Sequence, residues 1–173
     1  VGVFMSGEIS IYGKIQGYDQ KPIFMVQVSI WREDNFGPQY EADRTYTSED
    51  GTYRLSVPSG TPITLRFDTH WSLTNSTEWH PSVVANIEAG HDVVFNRYLM
   101  HVGTTEGVMA EIDALAAYQF CAVWTARQTD RESARKYAES TVSRLSQMKI
   151  SLPELDEFRT KLIDFFKGQA ESS

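Results

Sequence analysis

Residues 66–82 read RFDTHWSLTNSTEWHPS, and this one stretch gathers two His, two Trp, an Asp, a Glu, an Asn and several hydroxyls. Asp68, His70, Glu78 and His80 are the residue types that hold a divalent ion or pass a proton, because imidazole titrates near neutral pH and a carboxylate can orient it. Trp71 and Trp79 add ring faces on which a sugar or another planar ligand can stack. Three readings are open at this point: a ligand surface, a catalytic site, or a polar loop that Trp79, His80 and Pro81 anchor on the core. The spacing of the four polar residues is not a metal signature, so neither a metal nor a cofactor is expected.

Other chemistry-bearing residues have plainer readings. His70, His80, His91 and His101 recur every ten or eleven residues. Strand lengths alone produce that interval, whereas metal ligands must converge at about 2 Å from one ion. Cys121 lies in the small-residue run AAYQFCAVW, where a buried thiol is expected and no base at helical spacing would activate it. Arg127, Arg131, Arg135 and Lys136 are offset by Asp130 and Glu132 and read as a solvated face. The aromatic residues Tyr12, Tyr18, Trp31, Tyr40, Tyr46 and Tyr53 read mostly as core or cross-strand pairs. Asn75, Ser76 and Thr77 match the N-glycosylation triplet, a pattern too short to carry weight.

The elements that position residues 66–82 follow from periodicity. In PITLRFD, Ile63, Leu65 and Phe67 are expected to face in toward the core and Thr64, Arg66 and Asp68 to face out. In IFMVQVSIW, Phe24, Val26, Val28 and Ile30 alternate with Met25, Gln27 and Ser29 in the same manner. Further strands are expected over 9–16, 40–47, 52–57, 82–87 and 92–100. Turns are expected at Gly17 to Pro22, Asn35 to Pro38, Asp50-Gly51, Pro58 to Gly60 and Ala89-Gly90. After Gly103 the period becomes helical. Over residues 108–127, one stripe holds Val108, Ile112 and Leu115 and another Ala110, Ala114, Ala117 and Cys121, so this helix should be mostly buried. Thr129 with Glu132, and Ser151 with Glu154, form capping-box patterns that open two more helices. The apolar sides of those helices are Ala134, Ala138, Leu145 and Met148, then Leu155, Phe158, Leu162 and Phe165. Strands first and helices last give an α+β chain: an antiparallel seven-stranded β-sandwich over 1–103, followed by a three-helix element over 104–173 that packs on the sandwich or on a partner.

The segment TSEDGTYRLSVPSG, residues 47–60, resembles the carboxypeptidase regulatory-like domain, a small transthyretin-like β-sandwich. The likeness lies in a strand, an Asp-Gly turn, a Tyr-x-Leu strand and a Pro-x-Gly turn. Gly13, Ile15, Pro22-Ile23 and Val26-x-Val28 stand where that family has its first two strands. The resemblance covers about residues 8–102 and leaves the helices unmatched. It implies a scaffold, since family members are mostly noncatalytic modules, and it carries no catalytic group. The related transthyretin-like hydrolases end in Tyr-Arg-Gly-Ser, a tail this sequence lacks, so their activity is not implied.

Composition narrows the partners. The apolar fraction of 41% against 23% charged residues places the chain among globular proteins rather than disordered ones. The net charge is −7, with 7 basic and 12 acidic residues up to Gly103 and 9 and 11 after it, so both parts repel phosphate. Nucleic acid and anionic membrane are therefore not expected partners. No apolar run approaches the roughly 20 residues that span a bilayer, and the first residues lack the pattern of a secretion signal. One cysteine allows no intramolecular disulfide and fits a reducing compartment, which makes the cytoplasm the expected location. The expected function is a noncatalytic binding or assembly module, self-associating through its helices. The alternative is a small enzyme or sequestering protein for a hydrophobic metabolite, with its site between Asp68 and His80.

Overall fold

The computed structural model describes residues 7–34, 37–60 and 62–171. Its strands are β1 (Glu8–Gly17), β2 (Gln27–Asp34), β3 (Gly37–Tyr46), β4 (Thr52–Pro58), β5 (Ile63–Asp68), β6 (Ser82–Ile87), β7 (Val93–Val94) and β8 (Arg97–Leu99), followed by the helices α1 (Val108–Arg127), α2 (Arg131–Gln147) and α3 (Pro153–Glu171). One sheet runs β4-β1-β7 with β8 also paired to β1, and the other runs β3-β2-β5-β6. Ile11 and Ile15 of β1 and Leu55 of β4 meet Val28, Leu65 and Phe67 of the second sheet in one buried apolar cluster. The connection from β3 to β4 passes between the sheets through the expected Asp50-Gly51 turn. There Gly51 has φ 80°, and its amide donates to Ser48 O at 2.9 Å. The Asp50 carboxylate accepts from the Ser48 hydroxyl and from the Thr52 hydroxyl and amide, which lowers its pKa to about 2. Of the expected Asn35 to Pro38 turn, Asn35 and Phe36 lie outside the described residues.

Three expectations need correction. The strand predicted over 92–100 is broken into β7 and β8, and both run parallel to β1 rather than antiparallel. Between them the Phe95 backbone leans onto Gly13, where a Cβ would sit 2.1 Å from Phe95 O. The Asp92 and Asn96 side chains then accept from the Ser10 and Lys14 amides at 2.7 and 2.8 Å, completing what a regular ladder would supply. β2 starts at Gln27, not at the first alternating residues. Met25 has φ 63° and Phe24 is exposed, because the Thr47 hydroxyl accepts from Val26 N and donates to Ile23 O and so holds this corner. The two capping boxes do not form. Asp130 caps α2, accepting from the Ser133 amide and hydroxyl. Ser151 instead gives its amide and hydroxyl to the buried Glu111 at 2.5 and 2.7 Å, and α3 opens at Pro153.

The helices lie on the outer face of the second sheet. Ala110, Ala114, Ala117 and Cys121 of α1 are all buried, and their small side chains let α1 lie close to its neighbours. Trp31 of β2 and Met100 join residues of α1, α2 and α3 in a second apolar cluster. The consequence falls on β5. All six of its residues are buried, Ile63, Leu65 and Phe67 against the first sheet and the polar Thr64, Arg66 and Asp68 on the face that the helices cover.

Candidate functional site

A strand buried on both faces must pair whatever polar groups it carries. Asp68 does so through four hydrogen bonds from three residues: Arg66 Nη2 donates to its Oδ2 at 2.8 Å, Arg144 Nη1 to its Oδ1 at 2.6 Å and Arg144 Nη2 to its Oδ2 at 3.3 Å, and the Tyr137 hydroxyl to Oδ2 at 3.0 Å. His70 Nδ1 lies 3.5 Å from the same Oδ2 and 3.4 Å from Arg66 Nη2. Arg66 Nε donates to Cys121 Sγ at 3.1 Å, and Arg144 Nη1 also reaches Trp79 O at 3.1 Å. β5, the loop after it, α1 and α2 are thus tied together at one carboxylate.

The electrostatics follow from this packing. Burial pushes the Asp68 carboxyl up, but Arg144 first and Arg66 with it hold it well below the usual carboxylate range. Burial, reinforced by the Arg66 charge, drops His70 to about 4, so its ring is neutral at physiological pH. Burial raises the Cys121 thiol and the Tyr118 and Tyr137 hydroxyls, which leaves all three protonated. The buried ion cluster therefore contains two guanidinium charges and one carboxylate.

Beside this cluster opens a cleft of about 710 Å³, lined by Trp31, Arg66, His70, Trp71, Trp124 and Tyr137, with Glu41, Arg44, Asp130 and Lys136 among its polar lining. Five of these rings follow one another edge to face or tilted: Trp31 on Trp124 at 6.1 Å, Trp124 on Tyr137 at 5.3 Å, Tyr137 on His70 at 5.0 Å and His70 on Trp71 at 5.1 Å. The Arg66 guanidinium sits 5.2 Å from the Tyr137 ring and 5.9 Å from that of Trp124. Trp71 is 52% exposed, so it supplies a ring face that solvent, or a ligand, can reach. A groove of about 720 Å³ between α1 and α3 shares no lining residue with this cleft and is lined mainly by apolar side chains such as Val123, Phe158 and Leu162.

The six residues singled out in the sequence separate into two groups. Asp68, His70 and Trp71 come together at the cleft. Glu78, Trp79 and His80 do not join them. Glu78 is exposed, and its backbone makes the contacts, from its amide to Asn75 O and from Val102 N to its carbonyl. Trp79 packs edge to face on His101 at 5.2 Å and against the sheet core. His80 is buried on the α1 side with Nδ1 2.7 Å from the Tyr118 hydroxyl, and burial together with Arg144 lowers it to about 3. Among the described residues, no three His, Cys, Asp or Glu are grouped so as to hold a metal ion.

Alternation in PITLRFD placed Arg66 on the face of Asp68, but periodicity within residues 66–82 had no means of revealing Trp124, Tyr137 and Arg144 as members of the site. One signal was present. On α2 the buried positions Ala134, Tyr137, Ala138, Thr141, Arg144 and Leu145 follow a three-and-four spacing. Arg144 falls on that stripe, and a charge there demands a buried counter-charge.

No family model matches the sequence, and no curated protein sequence does. Solved structures with a similar course of chain include a streptococcal ancillary pilin, with 9% identity and TM-score 0.40 over 57% of this chain and 33% of that one. A putative carbohydrate binding protein from Bacteroides uniformis has 17% identity and TM-score 0.38 over 53% of this chain and 40% of that one. 3-Chlorocatechol 1,2-dioxygenase from Rhodococcus opacus 1CP has 13% identity and TM-score 0.39 over 58% of this chain and 63% of that one. The chain thus spans less than two thirds of each of these proteins. At such scores none of them assigns a role to it.

Proposed function

We propose that this chain is a noncatalytic binding module whose ligand, a small planar molecule, occupies the aromatic cleft between the second sheet and the helices. The observation that carries this reading is the run of rings from Trp31 to Trp71 along a cleft of about 710 Å³, a size within the range of small-molecule sites. Stacking on such rings requires a flat partner, and Trp and Tyr give large contact areas with few rotatable bonds. The groups that catalysis would need are engaged with one another. The Asp68 oxygens are taken by Arg66, Arg144 and Tyr137, the Cys121 thiol is fully buried, and Glu78 stands apart from His70. A proton-transfer pair needs one partner with a free position and a pKa near the working pH, which favours binding over turnover.

The transthyretin-like kinship belongs to the same proposal. Two facing sheets, and the Asp50-Gly51 turn that carries the chain from one to the other, support it. In this reading residues 1–103 form the sandwich module and 104–173 a helical cover that completes the cleft.

Three of the four tryptophans line the cleft and Trp79 does not, which supplies an internal control. In an NMR titration of the full chain with naphthalene-type planar compounds, the side-chain N–H signals of Trp31, Trp71 and Trp124 should move and that of Trp79 should stay. Trp71→Ala should weaken binding at least fivefold. Movement of the Trp79 signal alone, or of none, would overturn the assignment.

A further inference from the structure

We propose that the ligand of this cleft carries one negative charge, a carboxylate on a planar ring, held by the Arg66 guanidinium while the ring stacks on the Trp and Tyr faces. The inference rests on the binding reading above and adds the charge of the ligand. Its basis is the count of charges around β5. Arg66 and Arg144 are 3% and 0% exposed, and both pair with the single carboxylate of Asp68. Among the described residues this buried cluster retains one positive charge. The charges nearer the cleft mouth are engaged elsewhere: Glu41 pairs with Arg44 at 2.5 Å, Lys136 pairs with Glu132, and Asp130 caps the N-terminus of α2, accepting from the Ser133 amide and hydroxyl.

Arg66 is the member of the pair that lines the cleft, whereas Arg144 is enclosed by Asp68, Trp79 O and Thr141. Its other acceptors are weak ones. Nε donates to a thiol sulfur, and one N–H of Nη2 goes to Asp68 while its nearest further neighbour, the His70 Nδ1, stands at 3.4 Å. A carboxylate brought to this guanidinium replaces weak acceptors by a charged one, in a setting shielded from bulk water where such a hydrogen bond is strongest. The planar guanidinium matches the planar carboxylate in shape, and Tyr137 and Trp124 already flank the cation. One guanidinium suits one carboxylate. A phosphate dianion would exceed the single positive charge that the buried cluster retains.

The test compares 2-naphthoate with 2-naphthamide, which share a ring system and nearly a shape but differ in charge. Both are titrated into the full chain by calorimetry near pH 7.5. The carboxylate should bind at least tenfold more tightly than the amide. Trp71→Ala should weaken both by a similar factor and leave that ratio intact, while Arg66→Gln should reduce it to less than threefold. Should Arg66→Gln not fold, the ratio in the unaltered chain still decides. Equal affinities overturn the anionic ligand and leave the binding cleft standing. Failure of both compounds to bind overturns both. A tenfold preference that Trp71→Ala leaves untouched, with neither affinity weakened, places the anion outside the cleft and overturns the inference.

Discussion

Replacing Asp68 by Asn keeps the volume of the side chain and removes its charge, and the consequence can be worked from the geometry. Oδ2 accepts from Arg66 Nη2, Arg144 Nη2 and the Tyr137 hydroxyl, while Oδ1 accepts from Arg144 Nη1. An amide has one oxygen. If it keeps the 2.6 Å bond to Arg144, its NH2 group confronts three donors; if it turns over, it confronts the strongest one. Either way two guanidinium ions remain buried without a counter-charge. Breaking a buried pair in this manner costs roughly 3–5 kcal/mol. For a chain of this size each kcal/mol moves the melting temperature by roughly 2–4 °C, so Asp68→Asn should melt roughly 6–20 °C below the parent. Urea unfolding followed by tryptophan fluorescence measures the loss directly. Removing one cation as well, in Asp68→Asn with Arg144→Met, should recover part of it, because the double variant buries one uncompensated charge instead of two. A loss below about 1 kcal/mol in Asp68→Asn, or a double variant as unstable as the sum of its parts, would refute the picture of two guanidinium groups held by one carboxylate.

Two further outcomes follow from the same packing. His70 and His80 are lowered to about 4 and about 3 in the folded chain, below the unfolded value near 6.5, so the unfolded chain takes up protons first as pH falls. Their contribution is complete above pH 6.5 and is lost on the way down to the folded values, each giving up about 2 kcal/mol between pH 7 and pH 5; stability that stays flat over that interval in urea titrations would contradict their burial as neutral rings. Gly51→Val should cost more than about 1 kcal/mol, because a β-branched residue tolerates φ 80° poorly and its Cβ would stand 2.6 Å from Ile15 O; an unchanged melting temperature would remove the tight-turn argument.

How far the sequence could be read depends on the range over which each signal acts. Alternation in PITLRFD identified Ile63, Leu65 and Phe67 as a core face, because that face is decided by the strand itself and the facing sheet. The opposite face was read as solvated from its polarity, and the reason this failed is chemical. Arg66 and Asp68 are buried as a set with Arg144, a residue 76 positions beyond Asp68, so their satisfaction is invisible to any window around β5. The loop after β5 shows the same limit. Its composition marked it as a place for chemistry, yet a loop has no period to say which side chains share a side. The turn that sends Asp68, His70 and Trp71 toward α2 and His80 toward α1 is fixed by partners on those helices, Tyr137 and Tyr118. What was legible in principle is the conflict carried by α2, where Arg144 sits on an apolar stripe. Such a charge must find a counter-charge on whatever the helix covers, and Asp68, the last residue of a central strand, is where the geometry lets it do so.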